Sequence, residues 1–182
     1  IKMLIAKEKR RTNIAEYLLY MWQIEDIIRA YDFSIEKINQ ELISQYDQPS
    51  EVKKQIRDWY KQLIEMMKEE GIEKQGHLRF LANTLAELND FHLRLLSSPK
   101  ETTYRELYKQ AGPAIQALGE KVPGYKMSDL ELCLNGLYGL LMLRLRKKTV
   151  SDETNESLQS ISRMIAYLAN RFRKFEQGDY EL

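Results

Sequence analysis

The sequence predicts an all-α protein, and three observations support that prediction. Leu and Ile number 25 and 15, but there are only three Val and six Thr, so two of the residue types that favour strands are scarce. Eight Gly and four Pro leave few turn residues for a fold of many strands. Apolar residues also recur at steps of three and four, as on one side of a helix. We therefore expect one domain over residues 1–182, an antiparallel helical bundle of six or seven helices.

The first three helices are placed by their capping residues and apolar spacing. Asn13 predicts the start of helix one, because Glu16 follows it in the spacing of a capping box. Residues 1–12 are expected to be an N-terminal extension of that helix. Ser34 predicts the start of the second helix. The third is predicted from apolar residues at steps of four and three, namely Val52, Ile56, Trp59, Leu63 and Met66. Gly71 predicts its end.

The fourth and fifth helices follow in the middle of the chain. Leucines recur at helical spacing over residues 78–95 and predict the fourth helix. Ser98, with Glu101 three residues later, predicts the cap of the fifth. Pro113 lies inside the fifth apolar pattern, so we expect a kink or two shorter helices there. Pro123–Gly124 predicts a turn before the next helix.

The last two helices are predicted to begin at Ser128 and Ser151, and residues 177–182 are expected to form a loose tail. Helix six is apolar on nearly every side, which is typical of a central helix or of one in a subunit interface. Two glycines three residues apart would let another backbone approach closely. The candidate face for close packing or for an interface comprises Gly136, Leu137, Gly139 and Leu140.

Composition and motifs exclude several kinds of site. Lys plus Arg number 28 and Asp plus Glu 27, so the formal net charge of +1 disfavours nucleic acid as a partner. Two histidines, neither with Glu three residues before it, do not make the usual di-iron site, and one cysteine does not make a cysteine-type zinc site. Walker, dinucleotide-binding and Gly-x-Ser-x-Gly patterns are missing as well. We predict no metal, no cofactor and no catalytic residue.

Membrane association and an oxidising compartment are not expected either. The longest apolar run, residues 132–143, is shorter than the roughly 20 residues that a membrane span needs. Cys133 lies in this run and is predicted to be a reduced core residue, which is typical of a cytoplasmic protein.

Two ionisable residues interrupt apolar helix faces. Glu25 falls between Met21 and Ile28, and His92 between Leu88 and Leu95. A buried charge needs a partner, so one hypothesis is that Glu25 and His92 meet and form either a proton-handling pair or the polar floor of a pocket. Tyr20 and Trp22, in an aromatic-rich segment, would line the same pocket. The alternatives are a structural hydrogen bond, or a helix rotated to expose Glu25; these are favoured, because structural ion pairs also perturb pKa values.

Two segments resemble a known family. The run Asn13–Asp26, with the sequence NIAEYLLYMWQIED, and the run Cys133–Gly139, with the sequence CLNGLYG, are similar to a bacterial family of about this length, the domain of unknown function 4924. The resemblance extends over almost the whole chain. It implies a bacterial, cytosolic and all-helical protein, and it brings no activity, cofactor or catalytic residue.

The function expected from the sequence is non-enzymatic. We expect a cytoplasmic helical scaffold or protein-interaction module that forms a homo-oligomer through a leucine-rich and aromatic-rich face, with an unidentified protein as a further partner. One alternative is a small-molecule binder or enzyme that uses the pocket near Glu25 and His92. A weaker alternative is a nucleic-acid accessory protein, because short basic clusters are present at residues 7–11, 144–148 and 171–174.

Overall fold

A computed structural model describes residues 2–122, 124 and 127–182. Over these residues the chain is all-helical, with eight α helices, one short 3₁₀ helix at Ile43–Gln45 and no strand. The helices are α1 (Lys2–Thr12), α2 (Ile14–Ala30), α3 (Ile35–Glu41), α4 (Ser50–Glu69), α5 (Arg79–Ser97), α6 (Thr102–Glu120), α7 (Asp129–Leu145) and α8 (Asp152–Glu176). The predicted fold class is confirmed, and the predicted count of six or seven helices is wrong.

The extra helix comes from Asn13. Its backbone is extended, with φ −155° and ψ 99°, so the helix of residues 2–12 ends there and a new helix begins. The Asn13 side chain accepts a hydrogen bond from the Glu16 backbone N–H at 3.1 Å. Asn13 is therefore the cap that the sequence predicts, but Lys2–Thr12 is a helix of its own, not an extension of α2.

Three of the four predicted serine caps form in the structure. The side chains of Ser34, Ser128 and Ser151 each accept a hydrogen bond from the backbone N–H three residues later. Ser98 does not cap α6, which begins at Thr102 with Glu101 as its N-cap residue. The helix also continues through Pro113 as a single element. Pro123 and Ile1 lie outside the described residues. The predicted Pro123–Gly124 turn includes Pro123 and therefore lies outside them as well.

The chain divides into two compact units, Ile1–Thr84 and Leu85–Leu182, and the boundary falls within α5. The predicted single domain over residues 1–182 stays a prediction, because two compact units can belong to one domain or to two.

In the first unit, α1 and α2 pack on each other, and both contact α4. The short helix α3 and the 3₁₀ helix close against α4 as well. Fully buried side chains from several of these helices form its core, among them Leu18, Ile24, Ile28, Ile38, Ile56, Tyr60 and Met67.

In the second unit, α6, α7 and α8 all contact one another. The core contains Tyr104, Ala111, Cys133, Leu134, Ile161, Met164 and Leu168. Phe91 of α5 packs edge-on against Phe172 of α8, with ring centroids 5.3 Å apart. The apolar character of α7 is thus partly explained by contact with two neighbouring helices.

Candidate functional site

Glu25 is buried in α2, with an exposure of 1%, and both of its carboxylate oxygens have partners in the loop before α5. Oε2 lies 2.6 Å from Nδ1 of His77, and Oε1 accepts a hydrogen bond from the Leu78 backbone N–H at 2.8 Å. The carboxylate that the sequence analysis singled out is therefore part of a satisfied buried network, as burial of a charged group requires.

Two further α2 side chains hold the same loop. The Trp22 and His77 rings stack, with centroids 4.4 Å apart and an interplanar angle of 16°. The Arg29 guanidinium donates to the carbonyl oxygens of Ile72 at 3.1 Å and Gly76 at 2.6 Å. Trp22 and Glu25, both predicted site residues, thus meet at His77. From the sequence, His77 counted only as one of two histidines that do not make a di-iron site. The sequence signal that pointed towards His77 was the need of a buried Glu25 for a partner, because the chain has only two histidines that could supply one.

His92 of α5 is also buried, with an exposure of 2%. Its Nδ1 lies 2.6 Å from the Tyr104 hydroxyl, and its ring meets the Tyr108 ring edge-on at 5.4 Å. Burial lowers the pKa of His92, and the nearby Asp129 carboxylate partly opposes that shift. Glu25 and His92 therefore have different hydrogen-bond partners. Glu25 pairs with His77 in the first unit, and His92 pairs with Tyr104 in the second unit.

Tyr20, the fourth residue of the predicted pocket, belongs to a group of three tyrosines in the first unit whose hydroxyls are buried. Among the described residues, the hydroxyls of Tyr20, Tyr46 and Tyr60 are buried without a hydrogen-bond partner. Burial raises the pKa of all three, and raises that of Tyr46 to about 12, with a smaller contribution from Tyr31. These phenols are neutral at any physiological pH and offer no charged chemistry.

The predicted interface residues on α7 divide between a packed side and an open side. A Cβ built on Gly136 would lie 2.8 Å from Cδ1 of Leu118 and 3.3 Å from Cδ2 of Leu158, so α6 and α8 approach the backbone there. Leu140 is buried and Leu137 half-buried. A Cβ on Gly139 would meet no atom within 4 Å, so this glycine faces open space.

A buried carboxylate, predicted from the sequence to belong to a helix cap, forms a polar cluster in the second unit. Glu101, with an exposure of 2%, accepts hydrogen bonds from the hydroxyls of Tyr167, at 2.7 Å, and Tyr180. Arg171 completes the cluster, with its Nε 3.2 Å from Oε1 of Glu101 and its guanidinium over the rings of both tyrosines. Tyr180 lies in the segment predicted as a loose tail, and its hydroxyl joins that segment to the start of α6. Nothing local in the sequence pairs Glu101 with residues more than 60 positions away.

An open groove of about 270 Å³ lies in the first unit, between residues of α1, α2, α4 and α5. Lys7, Arg10 and Tyr17 supply its polar atoms. Its other lining residues are Met3, Ala6, Met21, Trp59, Leu63 and Phe80. The groove includes none of the four residues of the predicted pocket, although Tyr17 and Met21 come from the same helix, α2.

Over the described residues, no three His, Cys, Asp or Glu side chains are grouped so that they could hold a metal ion. Burial raises the pKa of Cys133 to about 12, which keeps it a thiol and a poor nucleophile. Among the same residues, no helix has the length and apolarity to cross a membrane.

The comparison with family models decides the relationship of the chain. A model of the family described as "Domain of unknown function (DUF4924)" matches residues 3–179. The chain belongs to the DUF4924 family. This confirms the family resemblance of the Asn13–Asp26 and Cys133–Gly139 segments, both of which lie inside the matched range. No curated protein and no solved structure matches this DUF4924 chain significantly.

Proposed function

We propose that this protein is a non-enzymatic helical scaffold that self-associates through one face of α7. The observation that carries the proposal is the open space in front of Gly139 on a helix that is otherwise apolar on most sides. Residues three and four apart share a helix face, so Gly139 shares its face with the residues Leu132, Asn135, Leu143 and Arg146. We call these five residues the Gly139 face.

The part of the Gly139 face from Gly139 to Arg146 is left open by its own unit, whereas Leu132 lies beside Gly119 of α6. Leu130, Cys133 and Leu134 are fully buried, and Gly136 touches Leu118 and Leu158. Gly139, Leu143 and Arg146 are exposed by contrast, and Leu143 retains 36% of its accessible surface. A glycine lets a second helix approach closely, and the apolar side chain beside the glycine is then buried in the contact.

A second copy of this chain fits the charges at the two ends of α7. Its first turn carries Asp129 and Glu131, and its last turn carries Arg144, followed by Arg146 and Lys147. A two-fold axis at Gly139 would run the two helices antiparallel and bring the acidic first turn of one copy towards the basic end of the other. A self-complementary face of this kind is what an isologous dimer requires.

The mass of the protein in solution tests this proposal. We expect wild-type protein to have twice the chain mass of 21.6 kDa by size exclusion with light scattering. Leu143→Glu should weaken dimerisation about tenfold or more, because it places a charge in the apolar contact. Leu93→Glu is the matched control, since Leu93 is another exposed leucine, with an exposure of 52%, on α5. A wild-type monomer at high concentration, or equal effects of the two substitutions, would contradict the proposal.

A charge exchange tests the antiparallel arrangement separately. Glu131→Lys and Lys147→Glu should each weaken the dimer, because each places like charges together. The double variant should recover much of the lost affinity, since it restores opposite charges across the two-fold axis. A double variant that is weaker than either single variant would contradict the antiparallel register but leave self-association standing.

The finer architecture and the location belong to the same proposal. Short connections, such as the single residue Asn13 between α1 and α2, favour antiparallel packing of consecutive helices into a bundle. A lone buried cysteine, Cys133, supports a reducing compartment such as the cytoplasm.

Small-molecule binding is the second candidate function, and the groove of the first unit favours it. The groove lies at α1, α2, α4 and the start of α5. It is therefore lined by different residues from those of the predicted pocket.

A further inference from the structure

His77 lies in the loop before α5, in contact with a buried carboxylate and a buried aromatic ring. Its Nδ1 is 2.6 Å from Oε2 of Glu25, and its ring stacks on that of Trp22, with centroids 4.4 Å apart. Glu25 and Trp22 keep only 1% and 2% of their accessible surface. Both partners belong to α2, so the two contacts hold the imidazole in one orientation against that helix.

The buried carboxylate determines which ring nitrogen carries the proton in neutral His77. A carboxylate only accepts hydrogen bonds, and Oε1 of Glu25 already accepts one from the Leu78 backbone N–H at 2.8 Å. Nδ1 is therefore the nitrogen that donates to Oε2. This leaves the lone pair of the neutral ring on Nε2.

Nε2 is the ring nitrogen that remains available for chemistry. His77 keeps 37% of its side-chain surface exposed, although Nδ1 faces a buried carboxylate. Within the part of the chain that the structure describes, Nε2 has no hydrogen-bond partner. A carboxylate on the far side of an imidazole stabilises the positive charge that the ring gains when its free nitrogen attacks, so Glu25 makes Nε2 a better nucleophile.

We propose that His77 is a phosphorylation site that carries the phosphoryl group on Nε2. The Nε2 lone pair forms a bond to the phosphorus of a donor that has a labile P–N or acyl-phosphate bond. That bond breaks, and its electron pair departs with the leaving group. The ring becomes positive and keeps its proton on Nδ1, where the Glu25 carboxylate supplies the counter-charge.

The charges beside His77 in the chain suit an anionic phosphoryl donor. Lys74 and Arg79 are exposed cations, three residues before and two residues after His77. Glu73 is the one other residue with an ordinarily charged side chain in the range 71–79. Positive charge around a nucleophile raises the local concentration of an anionic reactant and favours the charged product.

Phosphoramidate, which transfers its phosphoryl group with release of ammonia, is the probe. After incubation of the full chain at neutral pH, intact-mass spectrometry without acid should show one added phosphoryl group, and peptide mapping should place it on His77. His92 is the internal control, since it is the one other histidine of the sequence and is 2% exposed. An unmodified His77, or a His92 that reacts as fast, would overturn the proposal.

A relocated histidine separates the effect of Glu25 from that of exposure alone. The double variant His77→Gln with Gln75→His moves the imidazole two positions along the same loop, to another exposed residue. The amide introduced at position 77 is able to donate to Glu25, so the buried carboxylate keeps a partner. We expect wild-type protein to be phosphorylated about tenfold faster than the double variant. Equal rates would mean that any exposed histidine of this loop reacts, which contradicts a role for Glu25.

A measurement on the unmodified sequence keeps the proposal testable if a variant misfolds. In protein labelled with ¹⁵N in its histidine rings, NMR at mildly alkaline pH distinguishes the protonated ring nitrogen from the unprotonated one. We expect the proton of His77 on Nδ1 and the lone pair on Nε2. A proton on Nε2 would remove the nucleophile and overturn the proposal.

Discussion

Nε of Arg171 lies 3.2 Å from Oε1 of Glu101, and this contact joins the C-terminal part of α8 to the residue that precedes α6. Glu101 is almost fully buried, whereas Arg171 keeps 28% of its side-chain surface exposed. The Tyr167 and Tyr180 hydroxyls donate to the same carboxylate. A buried carboxylate is stable only with such donors, so the cluster fixes α8 and the segment after it to the start of α6.

Arg171→Met tests how strongly the second unit depends on this ion pair. We expect the substitution to lower the free energy of unfolding by about 3 kcal/mol, because it leaves a buried carboxylate without its counter-charge. Urea denaturation followed by circular dichroism measures the change. Arg11→Met is the control, since Arg11 pairs with Glu8 on the surface and its loss should cost at most about 1 kcal/mol. Similar losses for the two variants would show that the Glu101 cluster does not stabilise the fold.

The helix starts could be predicted from the sequence because they depend on contacts over three residues. Asn13, Ser34, Ser128 and Ser151 each cap a helix through the backbone N–H three positions later. Spacing alone contains that information. What spacing did not contain was that the extended backbone of Asn13 ends one helix as well as starting another, which is why the helix count was too low.

The partners of the buried charges could not be predicted in the same way. Glu25 was correctly expected to need a partner, but that partner is His77 from a loop 52 positions away, and loops show no periodicity that would indicate which way a side chain points. Glu101 was interpreted as a capping residue, because its spacing from Ser98 fits a capping box. Its carboxylate instead bonds residues of α8 and the C-terminal segment, and only the tertiary arrangement determines that choice.

Two fully buried tyrosines should respond oppositely to removal of the hydroxyl. Tyr60 and Tyr104 both have an exposure of 0%, but the Tyr104 hydroxyl bonds to His92 whereas that of Tyr60 has no partner among the described residues. Tyr104→Phe should lower the free energy of unfolding by about 1–3 kcal/mol, since it leaves the His92 nitrogen without a partner. Tyr60→Phe should be neutral or stabilising, because it removes an unsatisfied buried group.

Thermal and urea unfolding of the two phenylalanine variants measure this difference. The two substitutions remove the same atom from the same residue type, so each variant is the control for the other. A substantial loss of stability in Tyr60→Phe would mean that its hydroxyl has a hydrogen-bond partner in solution, such as an ordered water.

His92 predicts a stability that falls in acid. Burial lowers its pKa from the ordinary 6.5 in the folded state, so below about pH 6.5 the unfolded chain binds a proton that the folded chain does not. The contribution of neutral His92 is therefore complete above pH 6.5 and is lost as the pH falls towards the folded pKa, by at most about 1.4 kcal/mol per pH unit.

The measurement for His92 is the free energy of unfolding from about pH 8 to pH 5 for wild-type protein and for His92→Gln. The glutamine oxygen is able to accept the Tyr104 hydrogen bond but does not titrate. We expect the wild-type value to fall more steeply than the variant value below pH 6.5. Parallel curves would show that His92 does not contribute to acid sensitivity.

Alanine substitutions at Gly136 and Gly139 should differ in their effect on stability although the two positions lie about one helical turn apart in α7. Gly139→Ala should raise the free energy of unfolding of the monomer by about 0.5–1 kcal/mol, because alanine favours the helix and its Cβ meets no atom within 4 Å. Gly136→Ala gains the same helix preference, but its Cβ would lie 2.8 Å from Leu118 and 3.3 Å from Leu158, so the side chains of two helices must shift. Overpacking of this kind costs about 1–3 kcal/mol, which cancels or outweighs the gain. Both effects are measured by urea denaturation, at a protein concentration where light scattering shows a monomer, so that self-association does not contribute. A Gly136→Ala variant as stable as Gly139→Ala would contradict the close packing of α7 against α6 and α8.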